Sequence, residues 1–90
     1  MTRKEMVTRV IDGDTFITDS RKNSVRLANV NAPEKGSPGG TAATQSLRNL
    51  IQGEEVVIDT VARDKYGRSV ANVKIGNRSV NTAMKRKGYK

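Results

Sequence analysis

The chain contains no cysteine and no histidine in its 90 residues. Without cysteine there is no disulfide staple and no thiolate metal site. Without histidine the commonest general base, the commonest metal ligand and every Ser-His triad are excluded. Catalysis, if any, falls to carboxylates, a hard cation, lysine, arginine or tyrosine. Aromatic residues are scarce: Phe16, Tyr66 and Tyr89 are the full set, too few for a long base-stacking platform. No apolar run reaches bilayer-spanning length, so no membrane partner is expected. The opening MTRKEMVTRV lacks the ~7–15-residue apolar core of a signal peptide, and the expected compartment is the cytoplasm by default.

Positive charge is what the chain has in excess. The net charge is +8, and it is uneven: residues 1–30 carry +2, residues 31–60 carry −2 and residues 61–90 carry +8. A basic surface of this kind favours nucleic acid or another polyanion. The hydrophobic fraction of 34% supports one small core and therefore a single domain, residues 1–90.

Residues 4–12 alternate as a strand, and Asp12-Gly13 is the pair that tight hairpins favour. Residues 15–19 return as a second strand and 24–30 form a third, with Val25 and Leu27 on one face and Ala28 and Val30 on the other. Residues 31–40, rich in glycine, read as a mobile loop. A helix is predicted over 41–52, capped by Thr41 and ended by Gly53, with Ala43, Leu47, Leu50 and Ile51 on one face. Strands follow at 54–61 and 69–75, joined by a turn at Gly67. Val80, Ala83 and Met84 then mark a last short helix beside Lys85, Arg86 and Lys87. The order β-β-β-α-β-β-α predicts an OB-type five-stranded β-barrel with helices, a common binder of nucleic acid and oligosaccharide.

Three clusters carry potential chemistry. Asp12 and Asp14 flank a turn glycine, where two acids can offer oxygen to a hard cation; the same residues are also ordinary hairpin chemistry. Arg26, Asn31 and Glu34 set a guanidinium, a carboxamide and a carboxylate around the exit of the third strand, where scaffolds place function. In the third cluster, Arg63 to Arg68, Arg68 can fork onto a phosphate, although a solvated basic turn would look alike. Together they offer a cation site, a base and two guanidiniums, an inventory that suits phosphodiester cleavage.

VIDGDTF (10–16), VRLANVNAPE (25–34), DKYGR (64–68) and VNTAMKRKG (80–88) stand in this order. On these four blocks the chain resembles the staphylococcal nuclease (thermonuclease) family, and the resemblance runs from about Val7 to Gly88. The resemblance implies an OB-type barrel that cuts DNA and RNA with calcium. It further implies that Asp14, Asn31 and the Ala32 carbonyl bind calcium, that Glu34 is the general base, and that Arg26 and Arg68 hold the phosphate. Lys65 and Tyr66 match the pair that touches a terminal phosphate of the substrate. The family usually has an aspartate where Asn31 stands; an amide oxygen can still ligate but brings no charge. Family members also usually continue past the position of Lys90 into a further helix and tyrosines lining the base pocket, and Tyr89 does not match those. The expected function is a calcium-dependent, sequence-tolerant nuclease, with a non-catalytic OB-type nucleic-acid-binding module as the alternative.

Overall fold

The computed structural model describes residues 2–90. Its elements are β1 (Thr2–Asp12), β2 (Thr15–Thr18), β3 (Val25–Leu27), α1 (Gly40–Ile51), β4 (Glu55–Arg63), β5 (Ser69–Ile75), β6 (Arg78–Ser79) and α2 (Val80–Arg86). β1 is long enough to serve two partners. Its first half pairs with β4 (Thr2 opposite Asp59, Met6 opposite Glu55) and its second half with β2. Register shifts between Val7 and Arg9, and between Val10 and Asp12, break the β1–β2 ladder, and another lies between Thr60 and Ala62 in β4. Bulges of this kind bend a strand and let a small sheet curl.

The curl closes. β2 pairs with β3, β4 with β5, and β3 returns in parallel to β5, with Val25 opposite Ser69 and Leu27 opposite Ala71. Five strands thus form the ring expected of an OB-type fold. With a three-residue β3 as its closing strand it is not a regular barrel, and the unpredicted β6 adds a two-residue edge to β5. Val7, Val10, Phe16, Val25, Leu27, Val56, Ile58, Ala71 and Val73 fill the ring, and Leu47 and Ile51 of α1 join the same core. Met84 and Val80 of α2 bury against it as well, as the apolar stripe implied.

Several boundaries differ from the sequence reading, each for a local reason. β3 ends at Leu27, not at residue 30. Asn29 takes φ 60°, a left-handed conformation that asparagine tolerates, and this reverses the alternation. Val25, Leu27, Ala28 and Val30 are consequently all buried in one core. α1 begins at Gly40, inside the segment expected to be loop, and its N-cap is Gly39 (φ 80°) with no side-chain cap, so Thr41 does not cap it. Gly53 (φ 76°) does follow its end. β4 runs two residues past its expected end, to Arg63.

Two buried polar networks lock the ring. Asn81 of α2 accepts a hydrogen bond from Val73 N–H at 2.8 Å and donates to the carbonyls of Ala28 (2.9 Å) and Ala71 (3.0 Å), joining α2 to β5 and to the residue that follows β3. The Glu5 carboxylate is buried, receives Thr18 Oγ1 at 2.6 Å and pairs with Arg21 Nε at 2.8 Å. Arg21 Nη1 donates onward to Ser69 Oγ at 2.9 Å.

Candidate active site

The β1–β2 turn supplies the first acid. Asp12 pairs with Thr15, leaving Gly13 and Asp14 as the two-residue loop. Neither has positive φ, so this is not the primed hairpin turn that Asp-Gly suggests. Glycine is required here for a different reason: a Cβ on Gly13 would lie 2.7 Å from the Cβ atoms of both Ala32 and Ala43. The turn is thereby pressed between the loop after β3 and the first turns of α1.

That contact places Asp14, which is almost fully buried. Its Oδ1 accepts the Thr15 hydroxyl at 2.9 Å, and its Oδ2 accepts Ala32 N–H at 3.3 Å. Its carbonyl accepts Leu27 N–H at 2.8 Å. Arg26 lies on β3 between the inward Val25 and Leu27 and so leaves the ring on its outer side. Its Nη2 reaches Asn31 Oδ1 at 2.9 Å and Asp14 Oδ2 at 3.5 Å, and its Nη1 donates to the Leu27 carbonyl at 3.2 Å. Asn31 itself is exposed, and its backbone N–H meets the Tyr89 carbonyl at 3.4 Å.

Glu34 is held by its backbone and left free at its side chain. Lys35 N–H donates to Asp12 Oδ1 at 2.9 Å, tying the loop to the β1–β2 turn. The Glu34 carbonyl accepts Ser37 N–H at 2.9 Å, and a Cβ on Gly40 would fall 1.8 Å from that same oxygen. The helix start therefore sits directly on the Glu34 backbone. The carboxylate is exposed and has no hydrogen bond or ion pair among the described residues.

The β4–β5 turn is built by Asp64. Its carboxylate accepts Tyr66 N–H (3.0 Å), Arg68 N–H (2.9 Å) and Arg68 Nε (2.6 Å), while Gly67 takes φ 81°. Loss of solvent raises the Asp64 pKa. The Arg68 side-chain hydrogen bond, the two backbone N–H groups and the guanidinium charge together outweigh this and hold it below the usual carboxylate range. Lys65 Nζ and the Arg68 guanidinium each lie 5.2 Å from the centroid of the exposed Tyr66 ring.

Asp14, Arg26, Asn31 and Ala32 are thus joined by direct hydrogen bonds, with Glu34 fixed beside them. Lys65, Tyr66 and Arg68 form a second group on the neighbouring turn. Arg68 directly precedes Ser69, which pairs with Val25, the neighbour of Arg26, so the two groups flank one strand junction. No hydrogen bond or ion pair joins the groups among the described residues. Sequence reasoning missed Gly13 and Gly40 as positioning residues, because close approach leaves no mark in composition. It also missed Asp64 as the organiser of its turn, although an aspartate three residues before a glycine signals such a turn.

The oxygen donors around Asp14 are its own carboxylate, the Thr15 hydroxyl and, through Arg26, the Asn31 amide oxygen; Ala32, whose N–H reaches Asp14, has a carbonyl to add. All are hard, and they fit a cation such as calcium in kind. Among the described residues no three acidic side chains converge on one point, so the charge offered is low.

The family model described as "Staphylococcal nuclease homologue" matches residues 24–90. A protein named "Uncharacterized endonuclease" from Escherichia coli O157:H7 is 42% identical over 69 residues, covering 74% of this chain and 45% of that protein. The "Micrococcal nuclease" of Shigella flexneri is 38% identical over 69 residues, covering 74% and 40%. The "Thermonuclease" of Staphylococcus intermedius is 34% identical over 93 residues, covering 92% and 55%. The chain spans about half the length of these relatives.

Proposed function

Because this chain belongs to the staphylococcal nuclease homologue family, we propose that it hydrolyses phosphodiester bonds of DNA, RNA or both, with little sequence preference and with calcium as its cofactor. The observation that carries this reading is the Asp14–Arg26–Asn31 cluster with Glu34 free beside it. A guanidinium and hard oxygen donors stand together, and an unpaired carboxylate follows on the same loop, two residues after Ala32, a combination that nucleic-acid binding alone does not require.

In this reading the Glu34 carboxylate takes the proton of an attacking water as the water oxygen bonds to phosphorus. The opposite P–O ester bond breaks, and its oxygen leaves as an alcohol after taking a proton from solvent. Arg26 and Arg68 hold the growing negative charge on the phosphoryl oxygens. Arg68 has its Nε on Asp64, and its Nη groups make no hydrogen bond among the described residues, so they are available for that role. Lys65 and Tyr66 contact the adjacent phosphate. Asp14, Asn31 and the Ala32 carbonyl would hold calcium, which when bound polarises a phosphoryl oxygen.

The low charge of the donor set favours a second reading, a nucleic-acid-binding module without catalysis. Incubating labelled DNA and RNA with the protein in calcium, in magnesium and in chelator separates the two. Degradation that requires calcium supports the nuclease; binding without degradation in any condition supports the module.

A further inference from the structure

From Lys65 to Lys90 the chain has eight lysines and arginines and no acid. Lys65 and Arg68 belong to the candidate site, and the rest of this excess has no role there. Most of it gathers around α2. The inner face of that helix is spent on the core through Val80, Asn81 and Met84. Its outer face forms two shallow hollows. One, of 250 Å³, is lined by Arg78, Ser79, Thr82 and Arg86 among others; the second, of 260 Å³, by Thr82, Lys85, Arg86 and Lys90. Thr82 and Arg86 belong to both, so the hollows are contiguous and Arg86 stands between them.

Arg78, Lys85, Arg86 and Lys90 make no ion pair among the described residues. Glu54 lines a groove together with Arg78, and the two form no ion pair among the described residues. The row ends beside the candidate site, because Tyr89, next to Lys90, accepts the Asn31 backbone N–H.

We propose that this outer face of α2 is a phosphate track that holds the nucleic-acid backbone outside the cleavage site. Unpaired cations lining two contiguous hollows, with the hydroxyls of Ser79 and Thr82 among them, suit a run of backbone phosphates and read no bases. An anionic membrane is a poorer match. Surface-bound helices insert large apolar side chains, and the exposed large apolar residues described here, Met6, Val61 and Tyr66, all lie off α2. The inference rests on the proposed nucleic-acid substrate but not on catalysis.

The test is the salt dependence of binding to a labelled 20-nucleotide single strand in chelator, where no calcium-dependent cutting intrudes. Each phosphate contact contributes a slope of about −0.7 in log K against log salt for single strands. The triple variant Arg78→Gln, Arg86→Gln, Lys90→Gln should therefore flatten the slope by about 2. A control triple with the same charge change at exposed sites elsewhere (Lys4→Gln, Arg9→Gln, Lys22→Gln) should leave most of the slope in place. Both triples should degrade a trinucleotide in calcium at the unaltered rate. Equal flattening by the two triples would reduce the track to net charge and overturn it, as would an unchanged slope in the α2 triple. Loss of binding to anionic phospholipid vesicles, with strand binding intact, would overturn it in favour of a membrane surface. If the unaltered protein degrades nothing but the slopes differ as expected, the track stands and the nuclease reading fails. If degradation is seen and the slopes do not differ, the track alone fails.

Discussion

Arg26 Nη2 lies 2.9 Å from Asn31 Oδ1 and 3.5 Å from Asp14 Oδ2, so one guanidinium bridges the two side chains proposed to hold the cation. Substrate phosphate and cation would thus be sensed through a shared residue. Arg26→Ala should slow turnover by about 10²-fold or more if the guanidinium acts mainly on the transition state, and Arg68→Ala should do the same. Steady-state kinetics at saturating calcium checks both.

Asn31→Asp should tighten calcium binding. It adds a carboxylate at nearly constant volume to a site with little charge, and affinity of calcium sites follows ligand charge. Arg26 will compete for the new carboxylate, which lessens the gain without reversing it. Calorimetric titration of the two forms decides; equal affinities would mean that residue 31 is not a ligand.

Gly40→Ala should disturb catalysis and stability together. The added Cβ would meet the Glu34 carbonyl at 1.8 Å, so the loop carrying Glu34 or the start of α1 must move. Overpacking costs about 1–3 kcal/mol, and the displaced base adds a fall in turnover. A denaturant melt paired with an activity measurement reads both, and a variant normal in each would mean the backbone contact is not kept in solution.

Arg21→Ala should destabilise the ring. Its partner Glu5 has a side chain only 1% exposed, and the variant leaves that carboxylate buried without its cation. Breaking a buried pair from one side typically costs about 3–5 kcal/mol. Chemical denaturation measures the loss, while replacing both residues with apolar ones should recover much of it.

The Asp64–Arg68 pair should give the β4–β5 turn an acid-sensitive component. The folded Asp64 pKa is depressed, so its contribution is present above the ordinary carboxyl range and is lost as pH falls through the depressed value. Asp64→Asn removes it. The stability difference between the two forms should be steady near neutral pH and shrink on the acid side, which thermal melts across that range would reveal.

The five ring strands and both helices were legible in the sequence, because alternation and turn residues are local signals; the roles proposed for the site residues came from the family resemblance. β5 shows this most clearly, since Ser69, Ala71 and Val73 alternate inward over its whole length. What was not legible depends on contacts between distant segments. Nothing near Gly13 or Gly40 announces Ala32, Ala43 or Glu34 as neighbours. The left-handed Asn29 that turns Val30 back into the core has no composition signal either. Asn81 reads as one more polar residue on a short helix, yet it satisfies two backbone groups of β5 and the Ala28 carbonyl just after β3.

Glu34→Gln is the most direct measurement of the central claim. The amide keeps the shape of the side chain and cannot accept a proton from water, and the free carboxylate it replaces has no structural partner to lose among the described residues. Nucleic-acid degradation in calcium should fall by about 10²–10⁴-fold, with binding in chelator and the melting temperature unchanged. Degradation at the unaltered rate would contradict the assignment of Glu34 as the base and, with it, the mechanism proposed for this site.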